Sequence, residues 1–201
     1  MALIAVVNYG AGNLMSVSNA LSFIGADSII ADSPEELERA DAVILPGVGA
    51  FPAAMRRLNE SGFTAKLIKC AAEKPLLGIC LGMQMLFDES YEIEKTAGLS
   101  LLPGSIVKIQ HAKKLPHIGW NDLRLQRKSP LTENVPDGSY VYFVHSFRVS
   151  AKDEKDIVAD TFYGEDIPAI VHGGNVFGCQ FHPEKSGEPG LQMLKNFCKL
   201  C

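Results

Sequence analysis

Gly78-Ile79-Cys80-Leu81-Gly82 constrains this chain more than any other stretch. An apolar run, Pro75-Leu76-Leu77, leads into it, and a helix-like segment, Met83-Gln84-Met85-Leu86-Phe87, follows. A strand that turns sharply into a helix leaves the residue at the turn exposed at a sheet edge. Glycine two places before and two places after is required because a side chain there would collide with the neighbouring strand and helix. Here the residue at the turn is Cys80. The pattern predicts that its sulfur faces the N-terminal end of the helix, whose unpaired N–H groups favour a thiolate. A free cysteine has a pKa of about 8.5, so little of it is ionised at neutral pH and the site needs a base.

The chain around this turn alternates strand and helix. Apolar runs at 3–7, 28–31, 42–45 and 76–79 are separated by helical patterns at 14–24, 34–39, 52–59 and 64–73. Ser33-Pro34-Glu35-Glu36 is a capping box with proline at the first helical position. Such alternation predicts a mostly parallel sheet flanked by helices. Beyond residue 100 the pattern changes to short strand-like runs at 105–109, 140–144, 157–162, 169–171 and 176–181, an added antiparallel portion. Gly173-Gly174-Asn175 reads as a hairpin turn, and a last helix is expected over 189–199. With 201 residues and no linker or repeat, a single α/β domain over 1–201 is expected.

Composition removes several classes of function. A net charge of -4 speaks against non-specific binding to nucleic acid or acidic membranes. No apolar run approaches the roughly 20 residues of a membrane span, and the start lacks the basic flank of a signal peptide. The five cysteines (Cys70, Cys80, Cys179, Cys198 and Cys201) are odd in number and scattered, which points to reduced thiols in a cytoplasmic setting. Neither a metal nor an organic cofactor is expected.

The best base is His182, in Gln180-Phe181-His182-Pro183-Glu184-Lys185-Ser186. It follows a strand and so belongs at the sheet edge where α/β sites gather. Glu184, two residues on, is placed to fix the imidazole tautomer, with Pro183 stiffening the link. Alone, His-Pro-Glu is what many surface loops carry; the thiol at the turn gives it a purpose. Acyl chemistry also needs oxyanion donors. One is expected from the N–H of Leu81, and Pro46-Gly47-Val48-Gly49-Ala50-Phe51 is a second source, since Gly47 and Gly49 let the backbone turn towards a ligand. By itself that loop is also an ordinary strand-to-helix turn.

Gly-Ile-Cys-Leu-Gly-Met-Gln, Pro-Gly-Val-Gly-Ala-Phe and Gln-Phe-His-Pro-Glu-Lys-Ser resemble motifs of the class I, triad-type glutamine amidotransferases, a flavodoxin-like fold. With Pro116-His117-Ile118-Gly119-Trp120-Asn121 and Tyr142-Phe143-Val144-His145-Ser146, the chain looks most like the glutaminase subunits of imidazole glycerol phosphate synthases. The resemblance covers nearly the whole length. It implies hydrolysis of L-glutamine by a Cys80, His182 and Glu184 triad, with Val48 joining Leu81 in the oxyanion hole. It further implies substrate contacts from Gln84, His145 and Ser146. The implied partner is a (βα)8-barrel cyclase in a heterodimer of histidine biosynthesis, which takes up the ammonia to form imidazole glycerol phosphate and AICAR. Asn13, Trp120, Tyr142 and Lys185 are its implied interface or gating residues.

Competing readings remain. Met83 and Lys185 stand against the glutaminase of another synthase, such as anthranilate synthase. A cysteine peptidase or thiol sensor on the same fold, or a binding module that has lost catalysis, fits the bare motifs less well. Gly10-Ala11-Gly12 with Asp32 resembles a dinucleotide fingerprint, but Met15 occupies the third glycine position. His117 is expected to be structural, His111 and His172 solvated, and Trp120 either core or interface.

Overall fold

The computed structural model describes residues 2–201. An eight-stranded sheet organises them, and wholly apolar sequences account for its centre. Its parallel part contains β1 (Leu3–Val7), β2 (Asp27–Ala31), β3 (Ala42–Gly47), β4 (Leu76–Cys80) and β14 (Val176–Cys179), in the order β2-β1-β3-β4-β14. Every residue of β3, β4 and β14 is buried, as expected of strands covered on both faces. Antiparallel β13 (Asp166–Gly173), β12 (Ile157–Phe162) and the short β9 (Arg124–Leu125) extend the sheet beyond β14. Gly174 and Asn175 form the two-residue turn that joins β13 to β14.

Alternate residues of the strands feed two cores. Val43 and Leu45 pack with α2 (Phe51–Glu60) and α3 (Phe63–Glu73) on one face. Ala42, Ile44, Leu77 and Ile79 pack with α1 (Leu14–Phe23) and α5 (Gly187–Cys198) on the other. The segment 34–39 is a 3-10 helix in which the Glu36 carboxylate accepts from the Ser33 N–H at 3.2 Å.

The helix expected at 83–87 is a correction. Only one turn forms, α4 (Leu81–Gln84), because Phe87 begins a strand, β5 (Phe87–Ser90). That strand belongs to a four-stranded sheet with β6 (Thr96–Ala97), β7 (Leu102–Lys108) and β11 (Phe147–Ala151). A separate antiparallel ribbon pairs β8 (His117–Asp122) with β10 (Tyr140–His145). No helix among the described residues is long and apolar enough to cross a membrane.

The turn between β4 and α4 rests on close backbone approach. A Cβ at Gly82 would lie 1.9 Å from the Leu45 carbonyl oxygen, and one at Gly78 would lie 2.7 Å from the Gly82 oxygen. Cys80 itself has φ 54 and ψ -112, a conformation that L-residues rarely adopt and that costs on the order of 1–3 kcal/mol. Replacement of Gly82 by alanine is therefore expected to destabilise the fold by about 3 kcal/mol, because the obstructing atom is backbone and has nowhere to move. Urea denaturation of Gly82→Ala measures this, and a loss below about 1 kcal/mol would show that the crossing is slack.

Candidate active site

Parallel pairing brings the functional segments to one edge. Gly47 of β3 lies beside Cys80 of β4, and Cys179 of β14 lies beside Ile79, so the 47–50 loop, the elbow and His182 emerge together. They border a cleft of about 340 Å³. Val48, Gly49, Cys80, Leu81, Gln84 and His182 line it, together with Glu92, Val144, His145 and Ser146.

His182 is buried, and its Nδ1 lies 2.8 Å from Glu184 Oε1. The Ser186 hydroxyl fixes this loop, donating to the His182 carbonyl at 2.6 Å and accepting from the Tyr142 N–H at 3.0 Å. The His182 N–H in turn donates to the Tyr142 carbonyl at 3.0 Å. Burial acts to lower the pKa of His182, yet the neighbouring Cys80 sulfur and the Glu184 carboxylate outweigh it and push it up to about 9. The imidazole is thus favoured as a cation despite its low-dielectric surrounding. Because α4 is a single turn, it supplies little of the helix-end field expected from the sequence.

His145 behaves in the opposite way. Burial, with His117 and His182 nearby, pushes its pKa down to about 3, and burial pushes His117 down to about 4. Both rings are neutral at neutral pH. His145 Nδ1–H donates to the Phe147 carbonyl at 2.9 Å, leaving Nε2 to accept from His117 Nδ1–H at 3.1 Å. The Phe147 carbonyl also accepts from Gln84 Nε2 at 3.1 Å. His117 is stacked between Phe143 and Tyr163, with ring centroids 4.8 and 3.9 Å away.

Other expected residues fall elsewhere. Asn13 caps α1, accepting from the Ser16 N–H at 3.4 Å. Lys185 is exposed, and Tyr142 is half-buried with its ring edge-on to Trp120 at 6.1 Å. Trp120 is 55% exposed, which removes the core reading. His172 is not simply solvated: it stacks on Phe177 at 4.2 Å and meets Ser129 Oγ at 3.2 Å. Asp32 accepts from Asn8 Nδ2 at 2.7 Å. Cys198 and Cys201 have a C-x-x-C spacing that the reading of scattered thiols overlooked. All five cysteines are free, and among the described residues no cluster of three His, Cys, Asp or Glu side chains is arranged for a metal.

Sequence reasoning missed Glu92. Its Oε2 accepts from the Phe51 N–H at 2.7 Å and so caps α2, whose own N-cap residue, Ala50, has no side chain for the task. No local signal marks a cap supplied from 41 positions away.

A cysteine on a strained elbow, a carboxylate-held imidazole and a glycine-flanked loop on a doubly covered sheet are the parts that cysteine-nucleophile acyl transfer requires. The protein-family model for Glutamine amidotransferase class-I matches residues 5–201, and the chain belongs to that family. Among curated relatives, the imidazole glycerol phosphate synthase subunit HisH of Bacillus cereus (strain G9842) is 52% identical over 196 residues, covering 97% of this chain and 93% of that one. HisH of Caldanaerobacter subterraneus subsp. tengcongensis is 47% identical over 97% of each chain. Among solved structures, PurLQS from Thermotoga maritima has a TM-score of 0.79 at 24% identity, covering 99% of each chain. A crystal structure of a glutamine amidotransferase has a TM-score of 0.77 at 22% identity, covering 98% of this chain and 97% of that one. These two likenesses concern the fold.

Because Glu184 raises the pKa of His182, removing its charge must lower it. By NMR, the His182 ring is expected to titrate near pH 9 and, in Glu184→Gln, at a clearly lower pH. An unchanged midpoint would take Glu184 out of this role.

Proposed function

We propose that this chain is the glutaminase subunit of an imidazole glycerol phosphate synthase, releasing ammonia from L-glutamine for a cyclase subunit. The observation that carries the reading is Cys80 beside a Glu184-held His182 at the cleft, in a chain that is 47–52% identical to HisH proteins over 97% of its length.

Cys80, as thiolate, attacks the side-chain amide carbon of glutamine. The N–H groups of Leu81 and Val48 receive the developing oxyanion, with Gly47 and Gly49 giving the loop freedom to aim the second donor. His182, protonated, gives its proton to the departing nitrogen, and ammonia leaves. The neutral imidazole then takes a proton from water as it attacks the thioester, and glutamate is released. Glu184 holds Nδ1–H throughout and supports the cationic ring.

Gln84, His145 and Ser146 line the cleft where the amino-acid portion of the substrate lies. Both amide hydrogens of Gln84 are engaged, by the Phe147 carbonyl and Gln180 Oε1, so its carbonyl oxygen is the group offered to a ligand donor. Glu92 places a carboxylate in the cleft lining, suited to the α-ammonium of an amino acid.

Ammonia released into water is protonated and diluted, so the product must pass directly to a second protein. The β8–β10 ribbon offers a surface for it. Ile118, Trp120, Tyr140 and Val144 are 59%, 55%, 59% and 36% exposed, and in the ladder Trp120 faces Tyr142 and Ile118 faces Val144. Aromatic residues in such a patch are typical anchors of an interface. A (βα)8-barrel cyclase in a heterodimer is the partner proposed, with Asn13, Tyr142 and Lys185 at or near the contact and the cytoplasm as the setting.

Glutamate release is measured with and without the cyclase and its nucleotide substrate. Release should rise when both are present, and Cys80→Ala in the same complex should lower it by about four orders of magnitude or more. No rise with the cyclase, or activity retained in Cys80→Ala, would contradict the proposal.

A further inference from the structure

A chain of hydrogen bonds fixes the orientation of one buried amide that faces the thiol. It begins at the Phe147 carbonyl, which can only accept. Gln84 therefore presents its NH2 group there, at 3.1 Å, and the second hydrogen of the same nitrogen goes to Gln180 at 3.0 Å. Gln180 must meet that donor with its oxygen, Oε1. Its own NH2 group is thereby turned towards Cys80, with Nε2 3.9 Å from the sulfur. The Gln180 side chain is fully buried at the end of β14, and its N–H is tied to the Ala169 carbonyl at 2.9 Å.

We infer that Gln180 is a further catalytic residue: its amide N–H donates to the Cys80 sulfur and stabilises it as a thiolate, in an orientation set by Gln84 and the Phe147 carbonyl. The inference rests on Cys80 being the nucleophile. A buried amide NH2 is costly to leave unpaired, and the sulfur is the acceptor within its reach. A thiolate accepts such a bond far better than a thiol, so the contact favours the charged form. The bond is long in the resting structure, where the thiol also points towards the Val144 carbonyl at 3.9 Å. Once the sulfur has lost its proton that second contact is lost, and the Gln180 amide is a neutral donor that remains. Other titratable groups around the sulfur are His182 beyond β14, Tyr9 after β1, whose phenol burial and Cys80 hold protonated, neutral His145 on the cleft wall and the Glu92 carboxylate in the same cleft lining.

The test measures the rate of iodoacetamide alkylation of Cys80 against pH on the isolated full-length chain, read by mass mapping of the Cys80 peptide. No glutamine or partner is present, so the result is independent of the glutaminase assignment. Gln180→Met removes the donor at similar volume. Its alkylation midpoint is expected to move up by about one pH unit, with alkylation at neutral pH falling severalfold. Gln84→Leu leaves Gln180 in place but releases its orientation, and should move the midpoint in the same direction by less. If Gln180→Met does not fold, Gln84→Leu carries the test. An unchanged midpoint in a folded variant, even with weaker substrate binding or lower stability, would overturn the inference and leave Gln180 a packing residue.

Discussion

The whole site depends on a backbone crossing closer than any side chain would permit. Where β4 turns into α4, its first residues press against the end of β3, and Gly47, Gly78 and Gly82 each lack the Cβ that would collide with backbone. This contact holds Cys80 at a positive φ. The strain is sustained because β3, β4 and β14 are buried along their whole length, so relaxing the turn would disturb the centre of the sheet. The same parallel pairing aligns the end of β3 with Cys80 and the end of β14 with Ile79. Cys80, the glycine-flanked loop and the His182 imidazole are thus brought to one edge by register alone.

Burial then sorts the histidines. His182 and His145 both line the cleft and both are buried. Only His182 has a carboxylate and a sulfur beside it, and its pKa rises to about 9; His145, paired with another histidine and a carbonyl, falls to about 3. One ring is fitted to carry a proton and the other to form a fixed wall. Residue type does not decide between these tasks; the hydrogen-bond partners do.

Much of this was legible in the sequence. The parallel strands announce themselves as continuous apolar runs, because both faces are covered. The elbow glycines and His-Pro-Glu are local signals whose meaning is steric or chemical. The remainder was hidden for physical reasons. Strands β5, β6, β8, β9 and β11 are short or half-polar and owe their form to pairing with distant partners, which periodicity does not record. Met83 to Phe87 has helical composition, yet Phe87 pairs with Leu102 and ends the helix after one turn. Glu92 caps a helix far from it in sequence, and the facing of Gln180 follows from the Gln84 side chain and the Phe147 carbonyl, which come from separate elements.

If Cys80 is the nucleophile, it becomes covalently acylated by glutamine during turnover. Acid quenching of the complex during turnover, followed by mass spectrometry of the cysteine-containing peptides, tests it directly. A γ-glutamyl thioester on the Cys80 peptide, absent without glutamine, is the predicted result. An adduct on Cys70, Cys179, Cys198 or Cys201 instead, or turnover without any adduct in a variant slowed at deacylation, would contradict it.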